Sequence, residues 1–207
     1  MSLQDALSAA VAGDEIWVAA GTYKPHASDR SASFNLKSSV SIYGGFIGTE
    51  TNRSERNWFQ NASVLSGDLS GNDSGFSNNG DNSYHVVIGA DNAILDGFTI
   101  RGGNANYNSG YYSYGGGLLA VSVSPTIRNC KFVNNASAGG SSSGGGAVYV
   151  RSASPAFINC RFVQNQASYL GGAFFGDMSS SVTLKNCLFW NNTARLGGGF
   201  ATMNNTA

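Results

Sequence analysis

Apolar residues in the second half of the chain come in short bursts that recur with one nearly constant seven-residue segment. Gly, Ser and Asn separate the bursts, and no burst keeps helical apolar spacing over the length that a helix needs. The segment recurs at 129–135 (NCKFVNN), 159–165 (NCRFVQN) and 186–192 (NCLFWNN). A period of roughly 20 to 50 residues indicates stacked repeat units. The composition of these units favours strands.

The repeat length selects the type of solenoid. A propeller blade needs about 40 residues, whereas one coil of a parallel β-helix needs only three short strands and their corners. Earlier coils follow the same pattern, because Leu95, Phe98 and Ile100 fall on the positions of later apolar residues and 40–46 (VSIYGGF) resembles the same element one coil earlier. The sequence therefore predicts an all-β, parallel β-helix of about five to six coils.

Equivalent residues of stacked coils lie about 4.8 Å apart. The Asn before each cysteine stands at a corner, where Asn tolerates a left-handed backbone. We therefore expect an internal ladder of these amides, with Asn165 nearer the surface, and inward stacks of the following Cys and Phe. Three cysteines are an odd number, which excludes complete internal pairing, and we expect them to be buried and reduced. The predicted ladder and stacks comprise Asn129, Asn159 and Asn186, then Cys130, Cys160 and Cys187, then Phe132, Phe162 and Phe189.

The N-terminus differs from the repeats. Leu3 and Leu7 lie on the apolar face of a short helix that we expect to end at Gly13, so that residues 1–13 cap the first coil. Residues 14–92 then form irregular coils with long loops, and 93–207 the regular repeats of a single domain. Because 200–203 (FATM) begins another strand, we expect further coils of the same polypeptide beyond Ala207, in a longer protein.

Composition narrows the partners. Only 12% of the residues are charged and the net charge is zero, which excludes a nucleic-acid partner held mainly by phosphate contacts. No apolar run approaches about 18 residues, so we expect no direct membrane insertion. The first residues lack the pattern of a signal sequence; we expect that one was removed, and the alternative is that the protein is not secreted on its own. Its Asn/Ser/Gly-rich surface nevertheless favours an extracellular or outer cell-surface location, with a glycan or a host or neighbouring cell surface as partner.

Two loops have the composition of binding sites. The first carries Asp68, Asn72, Asp73 and Asp81, whose oxygens suit Ca²⁺, although the spacing is not that of an EF-hand. A plain solvated loop is the alternative, and no other cofactor is expected. The second places Tyr107, Tyr111, Tyr112 and Tyr114 among Gly, Ser and Asn, the composition of binding paratopes. The alternative is that it packs on its own coil. We interpret His85, at the start of a strand, as structural.

The repeats resemble a known family. In the polymorphic outer-membrane protein repeat, a Gly-Gly-Ala-apolar motif is paired with Phe-x-x-Asn. Residues 145–148 (GGAV) and 171–174 (GGAF) match the first motif, while 132–135, 162–165 and 189–192 match the second. The resemblance covers about residues 93 to 207, and 13–23 and 95–100 are similar to related bacterial surface proteins. It implies a right-handed parallel β-helix, a surface-displayed passenger that is sometimes an adhesin, and no catalytic residues.

Polysaccharide lyases and hydrolases share this fold, so an enzymatic function is an alternative to a binding function. A hydrolase needs two carboxylates about 5 to 10 Å apart, yet Asp177 is the single carboxylate after Arg101. We therefore expect no catalytic residues and a non-enzymatic cell-surface module, either an adhesin or a display passenger. A fragment of a polysaccharide-active enzyme and a purely structural stalk remain the alternatives.

Overall fold

A computed structural model describes residues 2–140 and 143–203. The chain winds into a parallel β-solenoid of six coils, which confirms the predicted fold class. Three of its sheets run the length of the solenoid with one strand from each coil, and a fourth, three-stranded sheet covers a corner of the third to fifth coils. The named strands pair in parallel throughout, as expected when each strand meets its equivalent in the next coil.

The strands follow one another coil by coil. The first coil holds β1 (Glu15–Ala19), β2 (Gly21–Tyr23) and β3 (Phe34–Asn35), and the second β4 (Ser41–Phe46), β5 (Ser63–Ser66) and β6 (Val87–Ile88). The third holds β7 (Ile94–Asp96), β8 (Phe98–Arg101), β9 (Asn104–Ala105) and β10 (Leu118–Val121), and the fourth β11 (Thr126–Arg128), β12 (Lys131–Val133), β13 (Ala136–Ser137) and β14 (Val148–Arg151). The fifth holds β15 (Ala156–Ile158), β16 (Arg161–Val163), β17 (Gln166–Ala167) and β18 (Phe174–Asp177), and the sixth β19 (Thr183–Lys185), β20 (Leu188–Trp190) and β21 (Phe200–Met203).

A helix caps the first coil, as predicted, but it is shorter than predicted. Ser2 caps the N-terminus of helix α1 (Leu3–Ala9). Its hydroxyl accepts from the Asp5 amide while the Asp5 carboxylate accepts from the Ser2 amide, a capping box. Leu3 and Leu7 join the core. The helix ends before Gly13 because Ala10 is already extended. Two short 3₁₀ turns, Arg53–Glu55 and Asn79–Asp81, lie in the loops.

The predicted register of the coils is confirmed. Leu95 pairs with Ile127, and Ile100 pairs with Phe132. The rings of Phe132 and Phe162 stack with centroids 5.1 Å apart, and those of Phe162 and Phe189 at 4.7 Å. Phe132 and Phe162 are fully buried, whereas Phe189 in the last coil is half-buried. The interior is therefore filled by columns of equivalent side chains.

In the fourth to sixth coils, the two corners that flank the Cys–Phe strand each hold one residue with a left-handed backbone. Asn129 has a φ of 52° and Asn134 a φ of 53°, and the later coils repeat both values closely. At both corners the left-handed residue lies toward the surface and the next residue, Cys130 or Asn135, is buried. The side chain after a corner, not the one at the corner, therefore enters the core.

This geometry corrects the predicted internal ladder. The amides of Asn135, Asn165 and Asn192 form the inner ladder, and the first two residues are fully buried. The Asn165 side-chain oxygen accepts from the Asn135 amide nitrogen at 3.0 Å, and the Asn165 Nδ2 donates to Asn192 Oδ1 at 3.0 Å. The expectation that Asn165 lies nearer the surface than Asn159 was wrong, because Asn159 itself occupies the left-handed corner position.

The glycine clusters permit close approach of adjacent coils. A Cβ atom added to Gly116 would lie 2.3 Å from the carbonyl oxygen of Ala136, and one added to Gly103 would lie 1.8 Å from that of Gly116. Both contacts are far inside van der Waals separation. Gly103 and Gly116 are thus required where the short fourth sheet meets the sheet of β10, β14 and β18.

The sixth coil is more exposed than those before it. Leu188 is 52% exposed and Trp190 60%, since no strand covers the outer edges of β19, β20 and β21 within the described residues. Exposed sheet edges favour pairing with further strands. The prediction of further coils beyond Ala207 concerns residues outside those described and stays a prediction. No helix in the described ranges is long and apolar enough to cross a bilayer.

Candidate functional site

The corner asparagines form a second ladder on the outside of the solenoid, which we call the outer ladder (Asn129, Asn159 and Asn186). Asn159 Nδ2 donates to Asn129 Oδ1, and Asn186 Nδ2 donates to Asn159 Oδ1, both at 3.2 Å. The predicted hydrogen-bonded column is therefore present. Its predicted internal position was wrong, because Asn159 and Asn186 are exposed. The outer ladder leaves amide groups available to solvent.

A cluster of charged side chains around the buried Asp96 lies at the Asn129 end of the outer ladder. Asp96, only 3% exposed, accepts from Asn129 Nδ2 at 2.8 Å. One Asp96 oxygen lies 3.0 Å from Nη2 of Arg56, and the other lies 3.4 Å from Nε of Arg128. Arg56 also donates to the carbonyl oxygens of Gly44 and Asp96. A buried carboxylate requires such paired and hydrogen-bonded surroundings.

The same arginine positions an aromatic loop. The Arg56 guanidinium carbon lies 4.8 Å from the centroid of the Trp58 ring, and Trp58 and Phe59 are in ring contact at 5.9 Å. The backbone of Trp58 crosses directly over Gly45, where an added Cβ would lie only 2.7 Å from Trp58 Cα. The loop between β4 and β5 is thus folded against the solenoid. Phe59 remains 77% exposed at its tip.

Loop and ladder together form a groove of about 650 Å³, which we call the ladder groove. Its floor is the outer ladder, one side is Trp58 and Phe59, and basic side chains of β12 and β16 reach it from the adjoining sheet. Those basic residues are Lys131 and Arg161, which pair in register and are exposed. Amides, aromatic rings and cations therefore share one concave surface.

The tyrosine loop (residues 106–114) divides into two separate clusters. Tyr114 stacks on Tyr149 with centroids 4.5 Å apart, over a patch of Leu119, Leu170 and Phe175 outside β10, β14 and β18. Tyr107 and Tyr112 pack instead on Tyr84. The rings of Tyr107, Tyr111 and Tyr112 are still 55%, 37% and 38% exposed. Packing on the loop's own coils thus accounts for much of its aromatic content, and glycan binding there stays a prediction.

The carboxylates predicted to bind calcium accept hydrogen bonds from amide groups of their own loop. Asp68 is buried, and its carboxylate accepts from the amides of Gly71, Asn72 and Asp73. Asp81 accepts from the Ser70 amide, and Asp73 accepts from Asn82 Nδ2. Burial raises the pKa of Asp73, which is further raised by nearby Asp68. Among residues 2–140 and 143–203, no group of three or more His, Cys, Asp or Glu is placed to hold a metal. Calcium binding stays a prediction.

The cysteines line the core beside the corner. Cys130 and Cys160 are buried and Cys187 is partly exposed in the last coil; all three are free thiols. Burial raises the pKa of Cys130 to about 12. His85 is also buried, with Nδ1 3.0 Å from the carbonyl oxygen of Gly115, and burial lowers its pKa to about 4. The burial of Cys130, Cys160 and His85 fits side chains that pack in the fold rather than side chains that react with a ligand.

The ladder groove is the feature that sequence reasoning missed. The repeated segment did carry a signal, because a basic residue follows the cysteine in two of its three copies. Outward alternation from a buried Cys and Phe places that residue on the solvent side of the strand. The aromatic side of the groove had no such signal, since it depends on where a long loop lies.

Comparison with known proteins identifies a family without a function. A family model described as "Protein of unknown function (DUF1565)" matches residues 1–194. It is not a model of the polymorphic outer-membrane protein repeat, so that finer resemblance stays a prediction. No curated protein and no solved structure matches the chain. Since the match spans most of the 207 residues, the chain belongs to the DUF1565 family of parallel β-helix proteins.

Proposed function

We propose that this protein is a non-enzymatic, extracellular or cell-surface β-solenoid module that binds glycans on its lateral face, as an adhesin or display passenger does. The six coils form a scaffold held by the inner ladder and the phenylalanine column. A rigid scaffold of this kind suits recognition of a surface or polymer, because little conformational entropy is lost on binding.

The proposal that the module is not an enzyme rests on the number and the bonding partners of the carboxylates in its regular coils. The third to sixth coils contain two, Asp96 and Asp177. Asp96 is held by two arginines and an amide. Asp177 accepts from the Tyr149 hydroxyl and from the Met178 amide, both at 2.8 Å. Glycoside hydrolysis needs one carboxyl group as acid and another as base or nucleophile on either side of the substrate, and both groups here have structural partners.

The surface composition supports the extracellular location. Its polar side chains are mainly those of Ser and Asn rather than of Lys and Glu, and 12% of the residues are charged. The three thiols are not paired, and two of them are shielded by burial from oxidants. Grooves lined by neutral amides and aromatic rings suit sugars, whose hydroxyl groups need hydrogen bonds and whose apolar faces stack on rings.

The experiment is a glycan array probed with purified protein, run beside a cleavage assay on the glycans that bind. We expect binding to a limited set of glycans and no new reducing ends or unsaturated products, with or without Ca²⁺. Replacement of Tyr111 and Tyr112 by Ala tests the tyrosine loop as a contributing surface. Turnover of a bound glycan would contradict the non-enzymatic module, and an array without any binding would favour the structural stalk.

A further inference from the structure

The ladder groove has the chemistry of a site for a charged polymer. Lys131 and Arg161 are stacked in register on neighbouring strands, which sets their backbones about 4.8 Å apart. Both side chains are exposed, and neither forms an ion pair with another described residue. Two adjacent unpaired cations repel each other and therefore favour a ligand that neutralises both.

No acidic residue lines the groove among the described residues. The nearest carboxylate in the hydrogen-bonded floor is that of Asp96, and it is buried beneath Arg56 and Arg128. The groove is therefore electropositive on a protein whose net charge is zero. The positive charge is therefore local to the groove and does not reflect an excess of basic residues in the whole chain.

The floor repeats at the spacing of the coils. Asn129, Asn159 and Asn186 present one amide per coil, and each amide has more hydrogen-bonding groups than the ladder uses. The coils repeat at about 4.8 Å, so the floor is a periodic row of amides along the solenoid axis, and a linear polysaccharide is a periodic chain as well. Successive sugars aligned with the solenoid axis would then meet equivalent amides, while Phe59 offers an exposed ring at the side.

We propose that the ladder groove binds a linear anionic polysaccharide, with its carboxylate or sulfate groups on Lys131 and Arg161 and its hydroxyl groups on the outer ladder. This inference rests on the proposed function, because it names the glycan class and the surface that the module uses. A nucleic acid fits less well, since affinity for a phosphate backbone requires many more cations than two.

The test measures the affinity of the whole chain for three polymers of matched length: polygalacturonate, dextran sulfate and neutral dextran. The variant Lys131→Ser/Arg161→Ser removes both groove cations. The control variant Lys37→Ser/Arg195→Ser removes the same charge from exposed positions that do not line the groove. All four residues are exposed, so both variants should fold.

We expect an anionic polymer to bind more tightly than neutral dextran, and the groove variant to raise its Kd about tenfold or more. The control variant should change the Kd by less than about twofold, and added salt should weaken wild-type binding more than that of the groove variant. Preference for polygalacturonate assigns the groove to carboxylated glycans, and preference for dextran sulfate assigns it to sulfated ones. Either result supports the inference.

Five results bear on this inference and on the proposed function, and each assigns the failure to one or to both. Equal losses in the groove and control variants, or equally tight binding of single-stranded DNA of matched charge, would overturn the groove while leaving glycan binding intact. Binding lost only on replacing Tyr111 and Tyr112 would do the same. Absence of binding to every glycan would overturn both proposals. Cleavage of a polymer that needs Lys131 and Arg161 would support the groove and overturn the non-enzymatic module.

Discussion

Replacing an asparagine should lower the free energy of unfolding much more in the inner ladder than in the outer ladder. Asn165 of the inner ladder is fully buried and joins three coils. Its Nδ2 donates to the carbonyl oxygen of Phe132 at 3.0 Å, and its Oδ1 accepts from the backbone amide of Asn135 at 3.1 Å. Replacing Asn165 by Ala therefore deprives two buried backbone groups of these partners and leaves a small cavity.

The magnitude follows from those two groups. A buried polar group without a partner costs about 1–3 kcal/mol, so Asn165→Ala should lower the free energy of unfolding by about 3 kcal/mol. With an m-value of about 2–3 kcal/mol/M in urea, the unfolding midpoint should fall by about 1 M. Circular dichroism or tryptophan fluorescence measures this shift directly.

The matched control is Asn159→Gly in the outer ladder. Asn159 is exposed, has a φ of 56° and makes the same kind of amide–amide bond. Glycine removes the amide without backbone strain at this positive φ, and exposed changes usually stay within about 0.5 kcal/mol. Asn159→Ala should cost about 1 kcal/mol more than Asn159→Gly, because Ala is strained there. Equal midpoints for Asn165→Ala and Asn159→Gly would refute the assignment of inside and outside.

Three further predictions concern the titratable groups. In native protein a thiol reagent should label Cys187 well before Cys130 and Cys160, which are buried, and equal rates for all three would contradict the inward column. The free energy of unfolding should fall as pH drops from about 6.5 to about 4, because the unfolded chain then binds a proton at His85 that the folded chain does not bind. Burial lowers the pKa of His85 to about 4 in the folded state. The loss of stability is about 3 kcal/mol at most. Urea midpoints in His85→Gln should show a weaker dependence over that range, and an unchanged slope would assign the effect to other groups. Because Asp68 and Asp81 already accept from backbone amides of their own loop, Ca²⁺ or a chelator should leave the melting temperature unchanged, whereas a shift that Asp68→Asn abolishes would restore the predicted calcium site.

The regular coils were predictable because their interactions are repeated. Each coil meets its neighbour through the same positions, so spacing alone aligned Leu95 with Ile127 and Ile100 with Phe132. The inward direction of Cys130 and Phe132 followed from alternation along a strand. The capping helix followed from local apolar periodicity, although its end lies earlier than the first glycine suggests.

The direction of the side chains at the corners was not predictable from residue type. Asn suits a left-handed backbone, and the sequence placed Asn129 correctly at such a corner. Whether its side chain enters the core depends on the directions of the two strands that meet at the corner. Those directions are set by the packing of the whole coil. The inner ladder was therefore assigned to the corner residue when it belongs to Asn135, Asn165 and Asn192, the asparagines of the Phe-x-x-Asn motif.

The sequence by itself determined the solenoid, its coil length, its register and the scarcity of carboxylates in its regular coils, since each of these depends on residues close in the chain or on strict repetition. Only the tertiary structure decided where the ladder groove lies. That groove requires Arg56 to reach Asp96, 40 residues away, and Trp58 to cross Gly45. Contacts of this kind occur once in the chain, and no repeated pattern signals them.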